Sequence, residues 1–187
     1  ITQKIIKRLL AFSSINHVGF ILLGIMSYEL MSEGTIFFYL IIYLITIFGI
    51  FTVILNLRSS EGELTKISEL NGLRFSSRSK SIAMLVFLFS LAGIPPFAGF
   101  FAKFFILSAS INEGLYVLSI IAVISSVIAA FYYLSVIKNM FFNNKEEELL
   151  LDNNKIGSVV FISSALILTL FFFYPDPLIN LVDGLFS

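Results

Sequence analysis

The sequence predicts an all-α integral membrane protein with five transmembrane helices, the third of them broken at Gly93–Pro96. Three observations point there. Hydrophobic residues make up 58% of the 187 and mean hydropathy is +0.98, whereas soluble domains are roughly 45–50% apolar. Apolar runs of about 20 residues, the length a helix needs to cross a bilayer, recur five times. Basic residues are confined to alternate connections between those runs.

The five runs are 9–28, 35–57, 81–110, 115–137 and 156–174, and they read as a single membrane domain over 1–187. The first follows Lys4, Lys7 and Arg8, a pattern shared with signal peptides. It is too long and lacks a small-residue cleavage site, so it reads as a span. The second carries Tyr39, Tyr43 and Thr46 at helical spacing, giving one polar face. The fourth carries Ala122, Ser126 and Ala130, a row of small residues suited to close helix packing. Packing alone accounts for both rows. The second connection, Arg58–Lys80, is polar and has room for a short surface helix. Asn143–Asn154, with Glu146, Glu147 and Glu148, reads as a solvated loop.

Eleven of the twelve basic residues fall on one side: in the N-terminal segment, the second connection and the fourth. The other side carries only Glu29, Glu33, Glu113, Asp176 and Asp183. The positive-inside rule puts the basic side in a cytoplasm or mitochondrial matrix.

The third run is too long for one straight helix. Between Lys80 and Glu113 lie 32 residues, about 48 Å of helix against a hydrocarbon core of about 30 Å. Pro95 and Pro96 each lack a backbone donor and clash with the preceding turn. Two half-helices with a non-helical break are expected, with a tilted, proline-kinked helix as the other reading. A break at membrane depth persists only against protein or a water-filled cavity.

The twelfth basic residue is Lys103, inside this run and ten residues from Glu113. Ten helical residues rise about 15 Å, so the lysine is expected near the midplane. An ionisable group there is costly without water or a partner and points to function. A lysine whose counter-charge comes and goes can bind and release a proton. No carboxylate is expected at that depth, so a counter-charge would come from another chain or another state. His17 is the other titratable side chain at depth, with Ser13, Ser14 and Asn16 nearby. It reads either as a proton relay or as a buried, hydrogen-bonded histidine. Cysteine is absent and there is one histidine, which excludes disulfides, thiolate metal sites and the common zinc motifs. Abundant Phe, Ile, Asn and Lys use AT-rich codons, which fits an organellar or AT-rich genome.

Two segments carry a family resemblance. Residues 7–19, KRLLAFSSINHVG, resemble the KRLLAYSSI-x-H-x-G segment of the antiporter-like membrane subunits of respiratory complex I. Residues 90–104, SLAGIPPFAGFFAKF, resemble their SLAGIPP-x-x-GF-x-x-KF motif. Pro175–Ile179 and the Ser-Ser-Ile-x-His pattern are similar to the subunit 2 branch. The resemblance implies the last five helices of a fourteen-helix fold built from inverted repeats, here the C-terminal piece of a split subunit.

It implies redox-coupled proton translocation within NADH:ubiquinone oxidoreductase, with Lys103 carrying protons and Gly93, Pro95 and Pro96 breaking the helix; the relay reading of His17 rests on the residues alone. A multi-subunit cation/proton antiporter, or a purely structural piece of the bundle, are the alternatives. No cofactor is expected in this chain; NADH, FMN, iron–sulfur clusters and ubiquinone would be bound by other subunits. Expected partners are the N-terminal piece of subunit 2, other membrane-arm subunits and the lipid bilayer, with no nucleic acid. The expected location is the mitochondrial inner membrane with the N-terminus in the matrix, or alternatively a bacterial plasma membrane.

Overall fold

A computed structural model describes residues 3–27, 33–59, 62–144, 150–151 and 155–175. Its helices are α1 (Ile6–Met26), α2 (Glu33–Leu55), α3 (Leu73–Ser76), α4 (Arg78–Ala92), α5 (Ala98–Asn112), α6 (Tyr116–Phe142) and α7 (Lys155–Leu170). Three of them, α1, α2 and α6, are long and apolar enough to cross a membrane. The apolar helices α5 and α7 are shorter. With 15 residues, α4 is about 22 Å long, so α4 and α5 reach across a bilayer only in series.

Helix limits differ from the apolar runs because backbone hydrogen bonds, not hydropathy, end a helix. The last turn of α6 continues through Lys138 and Asn139 to bring Met140 into the core. At the other extreme α7 stops at Leu170, and 171–173 form a turn. Pro175 lies just beyond, and a proline disfavours helical backbone at the residue before it.

The two long connections depart from expectation. They are tied together by a small sheet in which β1 (Leu57–Ser59) pairs with both β2 (Gly62–Glu63) and β3 (Leu150–Leu151). The fourth connection therefore contributes a strand; Glu146–Glu148 lie outside the described residues. The second connection holds a 3-10 turn at Ile67–Leu70 and the single-turn α3. Leu57, Leu64, Leu70 and Leu73 are all buried, so this polar stretch folds down onto the bundle by its leucines.

The N-terminal segment joins the same end. Ile67 N donates to Lys4 O (2.8 Å), Ile6 N to Thr65 O (3.0 Å), and Lys7 pairs with Glu63 at 3.1 Å. Gly72 N donates to Asn139 O at the end of α6 (3.1 Å). The three basic segments thus meet at one end of the bundle.

Inside, α2 packs against α4, α5 and α7, while α1 packs against α5 and α6. Glycines make the tight contacts. A Cβ on Gly49 would overlap the Phe87 ring, and one on Gly157 would overlap the Asn56 side chain. Gly99 faces the Ser90 carbonyl so closely that a methyl group there would collide with it. That contact lays the first turn of α5 against the last turn of α4.

Candidate functional site

Gly93 ends α4 in a left-handed conformation with φ 76°, which glycine adopts without the steric cost of a Cβ. Ile94 N donates to Phe89 O and Gly93 N to Ser90 O, both at 3.0 Å. This is the hydrogen-bond pattern of a Schellman cap. Two carbonyls remain. In a continuous helix Leu91 O would accept from residue 95 and Ala92 O from residue 96. Both are prolines and have no N–H, so the sequence itself strips these carbonyls of their donors.

Lys103 fills the gap. It lies one turn into α5 with its side chain folded back beneath Gly93, and it is 5% exposed. Its Nζ donates to Leu91 O at 2.8 Å, Ala92 O at 3.4 Å and Ser126 Oγ of α6 at 2.8 Å. The Phe20 ring of α1 lies 5.2 Å away. All three ammonium donors therefore have acceptors. The end of α4 also carries the partial negative charge of a helix C-terminus, which favours a cation. Among the described residues the partners of Lys103 are two carbonyls and a hydroxyl of this chain.

His17 faces the same interior from α1 and is 4% exposed. Its Nδ1 is hydrogen-bonded to Tyr39 Oη at 2.7 Å, and its ring stacks on Tyr43 at 4.7 Å. Nε2 is buried with no partner among the described residues. A cavity of about 10 Å³ lies between the two groups, lined by His17, Tyr39, Thr46, Ser90 and Lys103 among others. That volume is close to what one water needs.

Further hydroxyls extend the polar row toward the basic end. Tyr43 donates to Ser14 Oγ at 2.9 Å, and Ser13 hydrogen-bonds Tyr133 of α6. Ser13 and Tyr133 also line a groove of about 400 Å³ between α1 and α6, together with Asn16, Ser125 and Tyr132. Tyr132 is shared with a second groove of about 470 Å³ that includes Lys4, Lys66, Ser68 and Asn139 at the basic end.

The chemistry available is proton transfer. The described residues include no cluster of three metal-ligating side chains. Gly93 lies against the Lys103 side chain, His17 and Lys103 line the same small cavity, and Pro95 and Pro96 lie between α4 and α5. The Tyr39–Tyr43–Thr46 face and the Ala122–Ser126–Ala130 row, which packing alone explains in the sequence, pack in or against the core and also make specific contacts at this site. Tyr39 binds His17, Tyr43 stacks on it, and Ser126 binds Lys103. The signal for Ser126 was its place as the one hydroxyl in a row of alanines. Tyr133 carried no distinguishing signal.

Comparison with known proteins places this geometry. Residues 1–129 match the family described as NADH:quinone oxidoreductase/Mrp antiporter, transmembrane. NADH-quinone oxidoreductase subunit N of Rhodospirillum rubrum is 45% identical over 128 residues, covering 68% of this chain and 26% of the relative. The subunit N of Hirschia baltica is 42% identical over 128 residues, covering 68% and 27%. The chain thus spans about a quarter of the length of these relatives.

Among solved structures, respiratory complex I from Thermus thermophilus with bound aureothin contains a chain that superposes with TM-score 0.79 at 25% identity. The match covers 96% of this chain and 40% of that one. The Mrp complex from Dietzia sp. DQ12-45-1b shares the fold at TM-score 0.77 and 18% identity, covering 96% and 42%. With the family match running through α1, α2, α4, α5 and the part of α6 that holds Ser126, this chain belongs to the NADH:quinone oxidoreductase/Mrp antiporter transmembrane family.

Proposed function

We propose that this chain works in the membrane arm of a respiratory NADH:quinone oxidoreductase and passes protons through Lys103. The observation that carries the reading is the seat of Lys103: buried, at a helix end stripped of donors by Pro95 and Pro96, and bordering a water-sized cavity shared with His17. A buried ammonium held only by carbonyls and a hydroxyl, with no fixed carboxylate, can release its proton without breaking an ion pair. His17 relays between that cavity and the Tyr39, Tyr43 and Ser14 hydroxyls. The groove between α1 and α6 leads from there to the basic end, which faces the cytoplasm or matrix.

In this reading α4 and α5 together form the third of five spans, with the break and Lys103 near the midplane. The segment that precedes this region in the relatives, the N-terminal part of subunit 2, packs against it on the same or a separate polypeptide. Other membrane-arm subunits complete the complex, and NADH, FMN, iron–sulfur clusters and ubiquinone bind elsewhere in it. The relatives are bacterial and support a plasma membrane. A mitochondrial inner membrane rests on residue usage alone.

The test is proton uptake per NADH oxidised by the assembled complex in proteoliposomes. Lys103→Ala should lower that ratio in complexes that still assemble, at a stability cost of about 1–3 kcal/mol for the buried carbonyls left without a donor. An unchanged ratio defeats the reading and leaves a scaffold. Sodium-driven proton flux in the absence of NADH would instead favour the antiporter branch.

A further inference from the structure

The geometry points to a binding site for the phosphodiester headgroup of an anionic phospholipid in the groove between Arg74 and Arg78 at the basic end of the bundle. Both arginines line a surface groove of about 500 Å³, with Phe75, Ser81, Ile82 and Phe141 forming the rest of its wall. The site lies outside the proton route and does not depend on it.

Three features select an anion. First, no carboxylate pairs with either arginine among the described residues: from Asn71 to Asn112 and from Gly114 to Asn144, the segments that form the groove, the sequence contains no Asp or Glu. Just before them, Glu69 is occupied by the backbone N–H groups of Thr65 and Lys66 at 2.8 and 3.1 Å. Second, Arg78 opens α4, whose first turn carries no acidic residue. A cation at a helix N-terminus opposes the helix dipole, and an anion there is favoured. Third, the Arg74 guanidinium lies 4.3 Å from the centre of the Phe75 ring. Stacking holds its plane and leaves its N–H fork free for the bidentate contact that phosphate oxygens accept.

The surroundings select a lipid over a free anion. Phe75 is 61% exposed and Ile82, one turn beyond Arg78 in α4, is 47% exposed. A headgroup held by the arginines would lay its acyl chains along Ile82 and the end of α6. Basic pockets between helices on the positive side of a membrane protein recognise anionic headgroups in this way.

The test uses the complete complex, purified and stripped of lipid, then titrated with phosphatidylglycerol, phosphatidylcholine or inorganic phosphate. Thermal stability and bound lipid by mass spectrometry are the readouts. Phosphatidylglycerol should raise the melting temperature and remain bound, while phosphatidylcholine and inorganic phosphate should do neither. Arg74→Gln with Arg78→Gln should weaken the phosphatidylglycerol response by roughly tenfold or more in concentration. Arg74→Lys with Arg78→Lys should keep part of it, which shows that the first pair fails through lost charge and not lost folding. Lys138→Gln, an exposed cation outside the groove, should leave it intact.

Equal stabilisation by phosphatidylcholine, or an undiminished phosphatidylglycerol response in the glutamine pair, overturns the site. So does a response that appears only when Glu146, Glu147 and Glu148 are changed to Gln, because the arginines would then serve the chain's own carboxylates. Cross-linking of Arg74 or Arg78 to another subunit would also overturn it.

Discussion

Two buried lysines bracket α4, and the contrast between them separates structure from function. Lys80 lies in the first turn of the helix and Lys103 folds back onto its end, and both are 5% exposed. Each donates to backbone carbonyl groups at a helix C-terminal end: Lys80 to Asn56 O just past α2 at 2.7 Å, Lys103 to Leu91 O and Ala92 O in the last turn of α4. A lysine at the negative end of a helix is ordinary structural chemistry, so burial and carbonyl contacts do not mark a proton carrier. What differs is the neighbourhood. Lys103 borders a cavity shared with a histidine and a tyrosine and touches a hydroxyl of a third helix. Lys80 sits among the connections of the basic end, where its bond ties α4 to α2.

The largest effect expected from this contrast is on coupling, since both substitutions orphan buried carbonyls and both should lower stability. Lys103→Met should lower proton translocation by the assembled complex by roughly a hundredfold, the scale of a lost acid–base group. Lys80→Met should leave the ratio of protons to NADH unchanged and lower the stability of the complex by about 1–3 kcal/mol, the cost of an orphaned buried acceptor. Proteoliposome pumping and thermal unfolding, measured on both variants, decide it. Uncoupling by Lys80→Met would erase the distinction.

A second experiment attacks the seat itself. Gly99→Ala should cost about 1–3 kcal/mol through forced overpacking against the Ser90 carbonyl. Gly19→Ala, with nothing within 4 Å of the added carbon, should be close to neutral. Thermal unfolding of the two variants side by side reads the difference. Equal melting temperatures would mean that α4 and α5 do not need this close approach.

Smaller effects should follow from the hydroxyls. Ser126→Ala removes one of three acceptors around Lys103, and Tyr39→Phe removes the partner of His17. Each should cut the pumping rate several-fold at an unchanged NADH oxidation rate in uncoupled membranes. If Tyr133→Phe, further along the row, had the larger effect, the order of the relay would be wrong.

The smallest effect belongs to the surface. Lys7→Ala breaks the exposed pair with Glu63 and should change stability by less than about 1 kcal/mol. A larger loss would mean that the three basic segments are held by charge more than by their backbone hydrogen bonds and buried leucines.

The amino-acid sequence alone determined the membrane class, because apolar run length is set directly by bilayer thickness, and the side of the basic connections, because eleven of twelve cations share it. It also determined which carbonyls would be left open. Pro95 and Pro96 name Leu91 and Ala92 by the fixed four-residue step of helical hydrogen bonding, and the isolated Lys103 stood out by cost. Only tertiary structure decided what those features meet. Lys103 reaches Leu91 and Ala92 because Gly99 lets α5 fold against α4. Ser126 reaches Lys103 because α6 crosses beside them, a contact across 23 residues of sequence. Lys80, read from sequence as part of a polar connection, is buried because the leucines of that connection pull it onto the bundle. Such contacts depend on how helices pack against one another, and neither hydropathy nor periodicity within one helix encodes that.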